Sequence, residues 1–321
     1  MLNIKKDFKF WKILQMNTLT TKYRKFREKI SKKLHKLKLV KGINRDMFYV
    51  RQLLLNDYTD KLKSNPRYED DKCLIKYGHK VYSQNEEDGI IQEIFNRIGT
   101  TNKVFVEFGI GDGLENNSLA LLMNDWKGLW IEGSSTAVNN IKDNFRSVID
   151  SERLKVVEAF ITKDNINEII SDNINEKEID LLSVDIDGND IHIYNEISVI
   201  NPRVVIMEYN AKFPPPIMFT VDYNATHTWQ GDDHVGASLK YIERDLNKRG
   251  YKLVGCDLAG VNAFFVREDL LEDKFLAPYT AEKHYQPAKF YLVGAMVGHR
   301  GTHQSVEKCL AACMKIKDEE K

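Results

Sequence analysis

The chain has 321 residues, 47 basic against 47 acidic side chains and a hydrophobic fraction of 42%, the composition of an ordinary soluble protein with room for one large α/β domain plus appendages. Its four cysteines (Cys73, Cys256, Cys309, Cys313) are scattered with no CxxC pair, a pattern that suggests neither a zinc site nor a disulfide framework and fits a reducing cytoplasm. No apolar run reaches the roughly 18 residues of a membrane span, and Lys5, Lys6, Lys9 and Lys12 interrupt what a signal peptide would need.

The neutral total conceals an asymmetry. Residues 1–45 hold 15 Lys and Arg against two acids, and the remainder holds 32 against 45. Phe8, Trp11 and Leu14, then Tyr23, Phe26, Ile30, Leu34 and Leu37, recur at helical spacing among these lysines. A basic amphipathic arm of this kind suits an anionic membrane surface, making the protein cytoplasmic or peripheral at the inner membrane face; packing on its own catalytic domain is the equal alternative. The acidic body speaks against a nucleic-acid partner. A second helix is predicted from Arg45 to Lys63, with Val50, Leu54, Tyr58 and Leu62 on one face and Pro66 beyond its end. Ser83 and Glu86 have capping-box spacing ahead of Ile90, Ile91, Ile94, Phe95 and Ile98. Residues 1–75 thus form a helical extension, 76–270 the main domain and 271–321 a weakly patterned C-terminal extension.

From Val104 the chain alternates. Val104-Phe105-Val106 opens a strand that breaks into Gly109, Gly111 and Gly113, and a helix is expected from Asn116 to Met123. Further strands are predicted at Leu129–Ile131, Lys155–Phe160, Asp180–Val184 and Val204–Met207, with helices between them and a closing pair at Lys252–Val254 and Ala263–Val266. The fold class is therefore α/β, a doubly wound parallel sheet, which binds ligands at the carboxyl ends of its strands. Acids end four of these strands: Glu107, Glu132, Asp185 with Asp187, and Glu208.

The glycines sit at relative positions one, three and five, whereas a dinucleotide fingerprint needs one, three and six, where Leu114 stands. Glu107, two residues before the first glycine, suits a cationic ligand and would repel a pyrophosphate. Glu132 lies 23 residues after Gly109, the spacing at which a strand-two carboxylate reaches ribose hydroxyls.

Tyr82-Ser83-Gln84-Asn85-Glu86-Glu87-Asp88-Gly89, the Val104–Gly113 block, the Leu129–Gly133 strand end and Leu181–Asp190 together resemble the FkbM-type methyltransferases that use S-adenosylmethionine (SAM). The resemblance covers roughly Tyr82 to Leu270. It implies a Rossmann-like class I methyltransferase sheet with an antiparallel last strand, and methylation of a hydroxyl on a carbohydrate or secondary metabolite. Carried over block by block, it implies that Glu107, Gly109 and Gly111, with Gly113, line the methionine end of SAM. Glu132 would hold the ribose, Ala159 and Phe160 would flank the adenine, and Asp185 would sit near the reacting methyl.

A hydroxyl nucleophile must lose its proton, and two routes are open. Asp185, Asp187, Glu208 and Asn210 offer hard oxygen ligands suited to Mg²⁺ or Mn²⁺; alternatively His227 or His234, on the long segment Tyr209–Val235, acts as base. His299 and His303 have i, i+4 spacing, but Gly301 lies between them and a surface turn is the better reading. The competing functions are a nicotinamide-dependent oxidoreductase and a non-catalytic, membrane-associated Rossmann-like module.

Overall fold

A computed structural model of the chain describes residues 26–33, 38–292 and 302–320. The expected amphipathic positions Phe8, Trp11, Leu14, Tyr23, Leu34 and Leu37, and His299, lie outside the described residues. The chain divides into two units, residues 1–54 and 55–321. In the first, residues 26–33 are helical (α1) and α2 (Lys38–Lys63) begins. In the second, α2 ends before Pro66, where the Asn65 side chain accepts the Arg67 N–H and starts a single 3-10 turn. Of the face expected on this helix, Leu62 packs into a small cluster with Tyr68, Ile75 and Leu258, whereas Val50, Leu54 and Tyr58 are exposed.

The second unit is built on a seven-stranded sheet in the order β3-β2-β1-β4-β5-β7-β6. Its strands are β1 (Val104–Phe108), β2 (Lys127–Glu132), β3 (Leu154–Glu158), β4 (Glu178–Val184), β5 (Asn201–Glu208), β6 (Tyr251–Cys256) and β7 (Asn262–Arg267). β1 to β5 are parallel neighbours, and β7 inserts antiparallel between β5 and β6. This is the doubly wound, Rossmann-like arrangement with an antiparallel last strand that the sequence predicts.

Both faces of the sheet are covered, which explains why the strands read as continuous apolar runs. Val104, Val106 and Phe108 pack on one side with α7 (Ile166–Asn173), α8 (Asp190–Glu196) and α9 (Leu239–Lys248). Phe105 points to the other side, toward α3 (Glu87–Ile98), α4 (Leu119–Met123), α5 (Ser135–Asn144) and α6 (Arg146–Asp150). That layer also takes in Leu271, Phe275, and Val306 and Leu310 of α11 (His303–Glu320), after the short α10 (Ala281–His284). His303 does not lie in a surface turn: it opens α11, its ring meets the Asp112 carbonyl at 2.8 Å, and it packs edge-on to Phe145.

At the amino-terminal edge of the sheet, fully buried Asp180 accepts the N–H groups of Thr101, Asn102 and Lys103 and pairs with Arg203 at 2.7 Å. This staple holds the turn into β1 against β4 and β5, and it lies at the end opposite the strand-end acids.

The Ser83–Glu86 capping box does not form. Asp88 takes the role instead, accepting from the backbone of Val81, Tyr82 and Ser83 and from Ser83 Oγ, while Glu86 pairs with Lys63. α4 is also shorter than the expected Asn116–Met123, because residues 116–118 are drawn around the Glu107 carboxylate.

Candidate active site

The parallel registers bring the carboxyl ends of β1, β2, β4 and β5 to one level: Phe108 pairs with Ile131 and Val184, and Val184 with Met207. The next residue in each strand or turn, Gly109, Glu132, Asp185 and Glu208, therefore lines one edge. The three glycines have three different reasons to be glycine. At Gly109 (φ +68°) a Cβ would stand 1.6 Å from the Asp185 carbonyl oxygen, so the turns after β1 and β4 touch there. Gly111 (φ +55°) faces open space and donates its N–H to Glu132 Oε2 at 2.9 Å. Gly113 (φ +74°) is turned toward Trp130 and Ile141, so this glycine serves core packing and does not line the cleft expected of it.

Glu107 lines the smaller chamber and also organises the turn that follows it. It is buried, and its carboxylate is bonded to the following turn: Oε1 accepts Asn117 N–H at 2.8 Å, and Oε2 accepts Ser118 N–H at 3.0 Å, the Asn116 amide at 2.9 Å and Ser118 Oγ. Burial raises its pKa and these bonds oppose the rise. Glu107 borders the site but acts as the clamp that shapes its floor. Glu132 holds the other wall, accepting Ser134 N–H at 2.8 Å as well as the Gly111 N–H.

Two adjoining chambers open at this edge, of about 490 and 690 Å³, sharing Gln84, Gly109, Gly111, Glu132, Ser134 and Asp185 as common wall. Both fall in the size range of small-molecule sites. The larger runs from Ala159 and half-exposed Phe160, past Asp185, to Glu208, His227 and Trp229. The smaller ends on Asn116, Asn117, Glu87 and Asn262. In that chamber the amide nitrogens of Asn116 and Asn262 are pinned to Glu107 (2.9 Å) and Glu87 (2.9 Å). The amide oxygens of the same two side chains are buried without a partner, a strong appetite for a hydrogen-bond donor. No lysine or arginine is among the described residues lining either chamber.

Asp185, Asp187 and Glu208 bring carboxylate oxygens within 4.8 Å of one another. The pKa of Asp185 is pushed up by burial first, then by the carboxylates of Asp190, Asp187 and Glu107; that of Glu208 rises by burial and by Asp185, with which it shares a hydrogen bond. Such a pair holds a proton between its members or takes up a cation. Asp190 itself is structural, receiving the Ile186 and Gly188 N–H groups at 2.7 and 2.8 Å. Asp187 sits at φ +55°, uncommon for a residue with a side chain.

The remaining expected ligand, Asn210, does not join this group. Its amide donates to the carbonyls of Asp233 (2.9 Å) and Val235 (3.0 Å), and its oxygen accepts Lys212 N–H, which fastens the long 209–235 segment. The two histidines separate. His227 enters the larger chamber and packs on Gly188, its Nε2 meeting the Asp187 carbonyl at 3.1 Å. A carbonyl only accepts, so Nε2 carries the hydrogen and Nδ1 is left as the basic nitrogen. His234 is exposed against Phe219 and lines neither chamber, which removes it as a base.

Gln84, Asn189, Trp229 and Asn262 line the chambers and were not singled out by sequence. Gln84 and Asn189 lie inside blocks that carry the resemblance, and Trp229 stands two residues beyond His227; no sequence signal marks Asn262 on β7.

No known family profile matches the chain, and no curated protein matches it. Among solved structures it is similar to a protein assigned as a caffeoyl-CoA O-methyltransferase from Staphylococcus aureus, at 14% identity and TM-score 0.41, over 68% of this chain and 99% of that one. It is similar also to a SAM-dependent methyltransferase from Clostridium acetobutylicum, at 13% identity and TM-score 0.36, over 66% and 98%. A third is the glycopeptide N-methyltransferase MtfA bound to S-adenosylhomocysteine, at 11% identity and TM-score 0.36, over 60% and 90%. The fold assignment rests on the strand order and registers given above.

Proposed function

We propose that this chain is a SAM-dependent methyltransferase acting on a hydroxyl of a carbohydrate or related polar acceptor. One observation carries the reading: the chambers are walled by carboxylates with no lysine or arginine among the described lining residues. A dinucleotide pyrophosphate would meet negative charge there without a counter-cation, whereas the sulfonium and ammonium of SAM match it. This observation also counts against the nicotinamide-dependent alternative.

The residues present fit SAM. Glu132, whose two oxygens each hold one backbone N–H, keeps lone pairs for the ribose hydroxyls. Ala159 and Phe160 would flank the adenine. The orphaned oxygens of Asn116 and Asn262 would receive the ammonium, beside Glu107 Oε1, which accepts a single N–H from Asn117. When bound, SAM supplies an electrophilic methyl carbon.

Asp185, Asp187 and Glu208 then stand on the acceptor side with His227, Asn189 and Trp229. Transfer of that methyl to an acceptor oxygen would break its bond to sulfur and require the acceptor proton to leave. In the metal-free route His227 Nδ1 would take it. In the other route Asp185, Asp187 and Glu208 would hold Mg²⁺ or Mn²⁺, which would supply Lewis-acid activation of the acceptor hydroxyl.

Calorimetric titration with SAM and with NADH, followed by labelled-methyl transfer to a panel of glycans, tests the reading. SAM is expected to bind and NADH to be ignored; NADH binding without SAM binding overturns it. Chelator divides the two routes: full activity in excess chelator excludes the metal, and activity retained by His227→Ala excludes the histidine.

A further inference from the structure

The first unit carries a surface unrelated to the chambers. On α2, successive residues turn by about 100°, which gathers Ile43, Met47, Val50 and Leu54 into one stripe about 60° wide. All four are exposed, at 53%, 62%, 49% and 64%, and Leu53 beside them is 70% exposed. An apolar series of this length left to water calls for a partner. On α1, Phe26 and Ile30 repeat the pattern at i, i+4, exposed among Arg27, Lys29, Lys32 and Lys33.

Charge selects the partner. Residues 1–45 hold 15 Lys and Arg against two acids. Pairing this stripe with the same stripe of a second copy would bring two such basic arms side by side, and like charges at close range oppose that association. An anionic bilayer surface neutralises the same charges while its acyl boundary accepts the apolar residues. No helix of the described residues is long and apolar enough to cross a membrane, and a single apolar stripe on an otherwise polar helix suits binding in the plane of the surface.

We infer that the apolar stripe of α2 (Ile43, Met47, Val50 and Leu54), together with exposed Phe26 and Ile30 of α1 and the basic residues around them, docks on an anionic lipid surface. The lysines give long-range attraction and the apolar stripe gives the hold at contact, so both are needed.

Flotation of the full-length chain with vesicles tests this. Vesicles of equimolar phosphatidylcholine and phosphatidylserine are expected to carry the protein, those of phosphatidylcholine alone not, and high salt to weaken the binding. The double variant Met47→Glu/Leu54→Glu and the triple variant Lys29→Glu/Lys32→Glu/Lys33→Glu should each lose about tenfold or more in vesicle affinity. All five positions are exposed, so the melting temperature should hold, and a melt of each variant checks this. Equal binding to both vesicles, no binding at low salt, or binding untouched by the variants overturns the proposal. A dimer that Met47→Glu/Leu54→Glu dissociates, in protein that ignores vesicles, assigns the stripe to a second copy instead.

Discussion

Replacing Asp185 by Asn removes one charge from the strand-end cluster at nearly constant shape, and it should stabilise the fold while abolishing turnover. The carboxylate oxygens of Asp185, Asp187 and Glu208 lie within 4.8 Å of one another. Two full charges at that distance repel by roughly 3 kcal/mol at an effective dielectric of about 20, and water around exposed Asp187 reduces this. The Asn amide also donates to Glu208 without needing a shared proton. A net gain of about 1–2 kcal/mol is expected, or roughly 2–8 °C in Tm.

The sign depends on pH. Asp185 is raised in the folded state, chiefly by burial and then by neighbouring carboxylates. Below its unfolded pKa the group is protonated in both states and the substitution changes little. As pH rises through the raised folded value, the native protein must hold a charge it disfavours, and the wild type loses stability that the variant keeps. Calorimetric melts of ligand-free protein at about pH 5 and about pH 9 should show the gain growing toward the alkaline side. A variant that melts below wild type at high pH, or an equal difference at both, refutes the electrostatic account.

Glu132→Ala should weaken SAM binding by about 30- to 1000-fold, corresponding to roughly 2–4 kcal/mol of charge-assisted hydrogen bonds; an unchanged titration removes Glu132 from the site. Gly109→Ala should fail to fold or melt far lower, since its Cβ meets the Asp185 backbone at 1.6 Å, whereas Gly111→Ala meets no atom and should lose only about 1 kcal/mol to its positive φ; equal melts of the two would refute the contact. Arg203→Ala should cost about 3–5 kcal/mol by stranding the buried Asp180 carboxylate, seen as a lower denaturation midpoint, while SAM affinity is retained because this staple lies at the opposite edge of the sheet.

The central strands are legible because a sheet covered on both faces writes them as apolar runs, while the edge strand β3 mixes Lys155 and Glu158 with its apolar residues; the turns after the strands are punctuated by glycine and acids. Element ends were less legible. α4 begins three residues late because Glu107 draws 116–118 around itself, an interaction between residues nine to eleven positions apart that periodicity does not register. The same limit explains the site. Asp185, Asp187 and Glu208 could be grouped because register follows from strand order, but Asn210 shares that edge and spends its side chain on carbonyls 23 and 25 residues away. His227 and His234 are indistinguishable in sequence; only the path of the long segment puts one over Gly188 and leaves the other outside. Asn262 reaches the chamber because β7 returns antiparallel beside β5, where its partner is Glu208.

The wall of carboxylates bears on how a catalytic cycle would end. SAM carries a net charge of about +1 near neutral pH, from sulfonium, ammonium and carboxylate, and methyl transfer removes the sulfonium, leaving a neutral product. On the proposed function, a chamber without lysine or arginine among its described lining residues would hold SAM by an attraction that methyl transfer weakens. Exchange of spent for fresh cofactor would run downhill electrostatically, without a conformational step to expel product. Its signature is a difference in ionic-strength response: affinity for SAM falls as salt is added, and affinity for S-adenosylhomocysteine stays nearly level.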